Sequence, residues 1–181
     1  MRIGNLGFVA IALLGLAGAW APAGARASGA AGERQAADRA QIEKVVRASI
    51  GWALTKDRAL LYDCMAQDSS FFIFHPDSKS TIVGFEAFRA MAEKVLMSDR
   101  FKATDFALRD LRIDLSRSGD VAWYSARLDD HGEWDGRKTG WDDARWTGVL
   151  EKRSGKWVIA QMHFSLASDV VAAQAVKPDS T

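Results

Sequence analysis

Proton transfer at neutral pH asks for a side chain that titrates nearby and can be reached by a ligand. This sequence offers three histidines for it. His75 is the candidate catalytic residue. It closes the Phe-rich run Ser69–His75 and stands directly before Pro76, so a strand ends there and a pocket mouth can begin. The plainer reading of the same residue is a strand-end histidine bonded to backbone or water. His163 shares a strand face with Gln161 and Trp157, and is either a ligand contact or a satisfied structural histidine. Arg127 and Arg145 sit among apolar strand residues. Turned inward, such an arginine pairs with a ligand carboxylate or a buried aspartate; turned outward, it solvates the surface. Arg145 is the better ligand-binding candidate.

Aromatic residues supply the other half of a small-molecule site. Of the seven tryptophans, Trp52, Trp123, Trp141, Trp146 and Trp157 fall in predicted elements, where most serve the core. Trp52, Trp123 and the neighbouring Phe74 are candidate walls for a flat apolar ligand. The run Asp129-Asp130-His131-Gly132-Glu133-Trp134-Asp135 collects oxygen ligands and one imidazole, but lacks the alternate spacing of a calcium loop and reads as a solvated hairpin tip. No metal site and no cofactor is expected, since the chain has no Gly-rich phosphate loop, no Cys/His zinc spacing and no nucleophile elbow. Cys64, the single cysteine, lies on a stripe with Leu60, Leu61 and Met65 and reads as buried packing; it has no adjacent cation to activate it.

These residues have to be positioned by a chain that reads as exported. Arg2 precedes an apolar run from Ile3 to Leu16, and Ala25-Arg26-Ala27 fits the small-x-small cleavage pattern, so residues 1–27 read as a signal peptide. That run is shorter than the ~20 residues a bilayer span requires, which argues against a lasting anchor. Removing 27 of 181 residues leaves 154, with 22 basic and 23 acidic side chains, a balance of −1. Such a chain gives no electrostatic case for nucleic acid or for a membrane after cleavage. Residues 28–36 read as a disordered lead-in, 37–167 as one domain and 168–181 as a C-terminal tail; the location expected is periplasmic or secreted.

Within the domain, helices come first. Ile42, Val45, Val46, Ile50, Ala53 and Leu54 lay one stripe down a helix from about residue 37 to 55. Asp57 is a plausible cap for a second, shorter helix. Ile82-Val83-Gly84 leads into a third, with Phe85, Phe88, Met91, Ala92, Val95 and Leu96 on one face. The period then changes to two. Lys102–Ser116 reads as a long strand whose apolar phase slips from Phe106 and Leu108 to Leu111, Ile113 and Leu115, which marks a β-bulge near Arg109-Asp110. Val121–Asp129, Trp141–Lys152 and Trp157–Leu166 complete a four-stranded antiparallel meander, and the whole is α+β. In the last strand Val158, Ala160, Met162 and Phe164 alternate with Trp157, Ile159, Gln161, His163 and Ser165, so both faces carry apolar residues. Helices cover one face; a second copy, or Ser168–Val176, is expected to cover the other, and a homodimer through the outer sheet face is the favoured arrangement.

The ordered series Met65-Ala66-Gln67-Asp68, Val83-Gly84-Phe85-Glu86-Ala87-Phe88, Arg145-Trp146-Thr147, Arg153-Ser154-Gly155-Lys156-Trp157 and Met162-His163-Phe164-Ser165 resembles the nuclear transport factor 2-like superfamily. Within it the chain is similar to SnoaL-like domains and, more distantly, to ketosteroid isomerase, over about Ile42–Ala167. The resemblance implies a cone-shaped barrel, a strongly bent antiparallel sheet packed on three N-terminal helices, with a pocket at its open end. It also places Thr147, and with it Arg145, in that pocket. An isomerase of this kind calls for a tyrosine donor, an aspartate base before a proline and a protonated aspartate; those places fall near Ser49, at His75 and at Thr147, so steroid isomerase activity is not expected.

Two functions are compatible with this reading. In one, an exported SnoaL-like protein binds a small, largely apolar or carbonyl-bearing molecule in a conical pocket, with cofactor-independent isomerase- or cyclase-like acid/base chemistry; enzyme status stays open. In the other, the cone is plugged by Phe71, Phe74, Trp123 and Trp146 and the protein is a non-catalytic interaction or oligomerisation module. An open cavity of several hundred Å³ with convergent polar groups separates the first from the second.

Overall fold

The computed structural model describes residues 23–77 and 79–169. Most of the expected signal peptide and most of the C-terminal tail lie outside the described residues. Helix α1 spans Ala23–Gly51 and passes into a single turn of tighter 3₁₀ helix, Trp52–Leu54. The expected disordered lead-in, 28–36, is therefore helical here: nothing in its Ala-rich sequence beyond Gly29 and Gly32 opposes the helix that Ile42 and Val46 anchor in the core. Helix α2, Arg58–Asp63, begins where expected, with the Asp57 carboxylate accepting the Leu60 amide at 2.9 Å. Helix α3, Phe85–Met91, runs on as a π-helical turn over Ala92–Leu96.

The strands are β1 Phe72–Phe74, β2 Ile82–Val83, β3 Phe101–Leu115, β4 Val121–Trp134, β5 Arg137–Arg153 and β6 Lys156–Ser165. They form one open sheet in the order β2-β1-β6-β5-β4-β3, antiparallel except where β1 runs alongside β6. Strand β2 was not foreseen; Ile82 and Val83 pair with Ile73 and Phe72. The hairpin between β4 and β5 is also tighter than expected. Its turn is only Asp135-Gly136, both left-handed, the geometry that a two-residue hairpin prefers. Asp130 to Trp134, read as a solvated tip, are paired strand residues.

The inner face of the sheet carries Ala122, Tyr124, Ala126 and Leu128 of β4 and Trp146 and Leu150 of β5, all buried with Ile42, Val46 and Leu61 of the helices. Asp38, near the middle of α1, ties helix to sheet: its carboxylate accepts hydrogen bonds from Lys152 Nζ at 2.6 Å and Trp157 Nε1 at 2.9 Å. Bulges bend each long pairing. One falls between Arg109 and Arg112, as the slip of phase predicts, with Asp110 left-handed. Another lets Ala160 stand alone opposite the Val149–Leu150 step, and it corrects the reading of β6. Trp157 and Ile159 face inward before the bulge and Met162 and Phe164 after it, while Gln161 and His163 are exposed on the outside. The strand has one apolar face that changes register, so apolar residues on both faces of β6 no longer argue for a covered outer sheet.

A third bulge sets β5 against β4. Leu128 pairs with Ala144 and Asp130 with Trp141, so Asp142 and Asp143 together oppose Asp129. Asp143 is left-handed, φ 56°, and is held by Arg127 and Arg109 and by its own amide, which donates to Asp129 Oδ1 at 2.8 Å. A β-branched residue there has neither the left-handed tolerance nor the pairing. Asp143→Val is expected to cost about 2 kcal/mol in urea unfolding, whereas Asp143→Gly, which keeps the backbone free, stays within about 1 kcal/mol of the parent. Equal losses in both would assign the effect to the ion pairs and not to the bulge.

Candidate functional site

Between the inner sheet face and the helices lies a cavity of about 710 Å³, open at one end. The helical side is Ser49, Ile50, Trp52 and Ala53, with Phe88, Met91, Val95 and Leu96 of α3 and its π turn. The sheet side is Ile73, Met162, Phe164 and Trp141, and the segment Asp77 to Val83 forms part of the mouth. Phe71 and Trp146 are fully buried in the core, and Phe74 and Trp123 point to the other side of the sheet, so the four expected plug residues do not fill the hollow.

Inward alternation along β4, from Ala122 through Leu128, places the next even position, Asp130, on the cavity wall. Its carboxylate makes no hydrogen bond among the described residues. Burial in this apolar surround pushes its pKa up to about 6, against a smaller opposing pull from the His131 charge. Close approach of backbone supports the place: Gly140, at φ 141°, lies so near the Asp130 carbonyl that a Cβ would stand 2.1 Å from it. Trp141, aimed inward by the bulge beside it, is the register partner of Asp130, and its ring lies 6.2 Å from that of His75.

His75 lines the same cavity, as expected. Its ring stacks on Phe164 at 5.6 Å, and Phe164 stacks in turn on Trp146 at 5.6 Å. Nδ1 lies 2.7 Å from the Ser80 carbonyl oxygen, which can only accept, so Nδ1 carries the hydrogen and donates it. Trp52 also lines the cavity, with its Nε1 committed to the Ser49 carbonyl at 3.1 Å. Ser49 offers no free hydroxyl hydrogen, since it donates to the Val46 carbonyl at 2.8 Å.

The remaining expected site residues lie elsewhere. Phe74, His163 and Thr147 sit side by side in one row across β1, β6 and β5 on the outer face, with Trp123 in the next row and Arg145 two residues along β5. All are exposed. Placing Thr147 inward required its strand phase to match the resemblance; in the structure Trp146 and Gly148 take the inward positions. His131 likewise turns away from the cavity, its Nε2 2.9 Å from Asp142. Asp130 itself was passed over because the acidic run was taken for a loop. The Asp135-Gly136 pair, a hairpin turn in its own right, and the unbroken even alternation from Ala122 both pointed to it.

A carboxyl whose folded pKa exceeds its unfolded value stabilises the fold below the unfolded value, and that contribution is lost as pH rises through the folded one. Asp130 therefore makes the protein less stable between about pH 4 and pH 6, by up to about 2–3 kcal/mol. In thermal melts across this range, Asp130→Asn is expected to gain on the parent as pH rises and to hold a constant advantage above about pH 7. A constant difference at every pH would show an Asp130 that titrates normally.

A SnoaL-like domain model matches residues 42–169. Solved structures with the same architecture include an NTF2-like protein with a cystatin-like fold from Novosphingobium aromaticivorans, at 18% identity, TM-score 0.61, and coverage of 82% of this chain and 94% of that one. A candidate scytalone dehydratase from the same organism has 12% identity, TM-score 0.61, and coverage of 73% and 85%. A candidate ketosteroid isomerase from Shewanella frigidimarina has 18% identity, TM-score 0.52, and coverage of 67% and 92%. At such identities these likenesses concern the fold. Among curated proteins, none matches this chain.

Proposed function

The chain belongs to the SnoaL-like domain family, and on that premise we propose that it binds a small, neutral, largely apolar molecule in the cavity and exchanges a proton with it through Asp130. The observation that carries the reading is an inward carboxylate without a hydrogen-bond partner among the described residues, in a largely apolar hollow of about 710 Å³. A carboxyl raised to about 6 is half-ionised one unit below neutrality, so it takes up and returns a proton at modest cost in either direction. Trp141, Phe164 and Met162 exclude water around it and keep the acid's proton affinity high. His75 also lines this cavity. Similar folds named as a candidate dehydratase and a candidate isomerase support cofactor-independent acid/base chemistry here, and the open hollow disfavours a plugged, non-catalytic module. Arg2, the apolar run after it and Ala25-Arg26-Ala27 support export to a periplasmic or secreted location.

The test uses β-tetralone, a bicyclic ketone small enough for the cavity, whose α-hydrogens exchange with D₂O. NMR is expected to show exchange accelerated by the protein, with a rate that climbs through about pH 6 as Asp130 ionises and then levels. Asp130→Asn should lower that rate by about 10²–10⁴-fold with its fold intact. Undiminished exchange in the variant would remove Asp130 from the chemistry.

The outer face supports self-association, on grounds other than those of the sequence. Phe74, Val83 and Trp123, exposed by 47%, 65% and 48%, are three of the four large apolar side chains most exposed among the described residues, and all lie on it. Register places Val83, Phe72, Gln161, Val149 and Trp123 in one row across five strands. Two copies meeting face to face cover this row. Sedimentation is expected to find a dimer that Trp123→Arg dissociates at least about tenfold; a parent chain that sediments as a monomer would discard the arrangement.

A further inference from the structure

Hydrogen-bond bookkeeping inside the cavity narrows the ligand. Because Nδ1 of His75 gives its hydrogen to the Ser80 carbonyl, the neutral ring keeps a lone pair on Nε2, and that nitrogen has no partner among the described residues. Ionised Asp130 presents only lone pairs, likewise unmatched. The nearest polar hydrogens are committed elsewhere: Trp52 Nε1 to the Ser49 carbonyl, and the Ser49 hydroxyl to the Val46 carbonyl. The Ser80 hydroxyl is given to the Asp77 carboxylate, and the hydroxyls of Thr81 and Thr139 and the ammonium of Lys79 stand at the exposed mouth. Two acceptors flank the apolar ring of Trp141, one paired with it in register and one with its ring 6.2 Å away, and among the described residues no donor inside the mouth matches them.

We infer that the cavity selects an uncharged ligand carrying two hydrogen-bond donors on an apolar body, one hydrogen given to His75 Nε2 and one to the Asp130 carboxylate. A molecule bearing two hydroxyls, whether alcoholic, phenolic or enolic, meets this description. A carboxylate does not, because it would bring a second negative charge beside Asp130, while the lysine of the lining, Lys79, stands at the exposed mouth. A ketone or ether is held more weakly, because its oxygen would face lone pairs, although a ketone still presents its α-hydrogens to the Asp130 carboxylate. The inference rests on the cavity being the ligand site, as proposed above, and it specifies which chemistry that site accepts. It also makes His75 a specificity-determining residue, with Ser80 as the group that fixes its tautomer.

Binding of three probes with one carbon frame separates the possibilities: the naphthalenediol with one hydroxyl on each ring, its dimethyl ether, and the corresponding dicarboxylate. Calorimetry near pH 7.5 (about 1.5 units above the Asp130 midpoint) is expected to give the diol at least about tenfold tighter than the ether, with no detectable dicarboxylate. His75→Phe, which keeps the stack on Phe164, should reduce the diol's advantage to roughly threefold while leaving the ether's affinity unchanged. In the His75→Phe background, lowering the pH through about 6 protonates Asp130 and supplies the missing donor, so the ether should gain affinity there and not in the His75→Phe/Asp130→Leu double variant. Equal binding of diol and ether, or tight binding of the dicarboxylate, overturns the inference and leaves the cavity as a ligand site. Failure of all three probes to bind overturns the cavity reading and this one with it.

Discussion

Alternation along a strand is strict, so one inserted residue exchanges every side chain beyond it between the two faces of a sheet. Three of the bulges in the long strands use this rule for different ends. At Arg109–Arg112 the slip lets β3 keep apolar residues against α1 while the strand bends. At Ala160 it moves the inward set of β6 from odd to even positions, so that Trp157 serves the closed end of the cone and Phe164 the open end. At Asp142-Asp143 it turns Trp141 inward opposite Asp130. Curvature and the chemical lining thus come from the same local defects. A sheet with ideal pairing would have been flatter and would have carried different residues on its concave side.

The bulge beside the site is held from the opposite face. Asp143 accepts from Arg127 and Arg109, and Asp129 accepts from the Asp143 amide and from Arg109, in a compact cluster of two arginines and two aspartates. Individually such exposed pairs contribute little. Their effect here is geometric: the cluster satisfies the amide that the bulge removes from the ladder and favours aspartate, which tolerates left-handed backbone, at the turning point. Turned inward, Arg127 would reach a ligand. Its place is outward, where it bears on the cavity only through the backbone it steadies.

Much of this architecture was legible in the residues. Periods of 3.6 and then 2, the Asp57 cap and the slip within β3 gave three helices, a long meander and one of its bends, and the ordered motifs gave the family. Strand phase was less accessible. A bulge announced by apolar residues that change parity, as in β3, can be read; one in which both parities are apolar, as around Ala160, looks like a two-faced strand, and one made of acidic residues, as at Asp142-Asp143, has no apolar change of parity to announce it. The same gap explains the fate of the site residues. His75 and Trp52 belong to segments whose position depends on element order, and they line the cavity. Phe74, Trp123, Arg145, Thr147 and His163 depend on phase, and all five are outside. Asp130 was hidden by its composition, since a run of acids suggests solvent unless the turn beyond it is located first.

A hollow in a small domain has to be offset by packing elsewhere, and the division is visible along the cone. At the closed end Ile42, Val46, Leu61, Phe71, Leu150 and Ile159 are all within 1% of complete burial, and Asp38 locks α1 to Lys152 and Trp157 beneath them. At the open end the helical wall is a 3₁₀ turn, tighter than α-helix, on one side and a π-helical turn, wider than α-helix, on the other. Their side chains approach the sheet without interdigitating, which leaves the space between Trp52, Leu96 and Trp141 unfilled. A charged carboxylate on that wall is tolerable because the closed end supplies the stability, and it is unpaired because the wall opposite offers carbon. Stability and reactivity are thereby assigned to opposite ends of one curved sheet, and the residues that couple them are those of β4, which passes from Ala122 in the packed end to Asp130 in the hollow without a break in its own alternation.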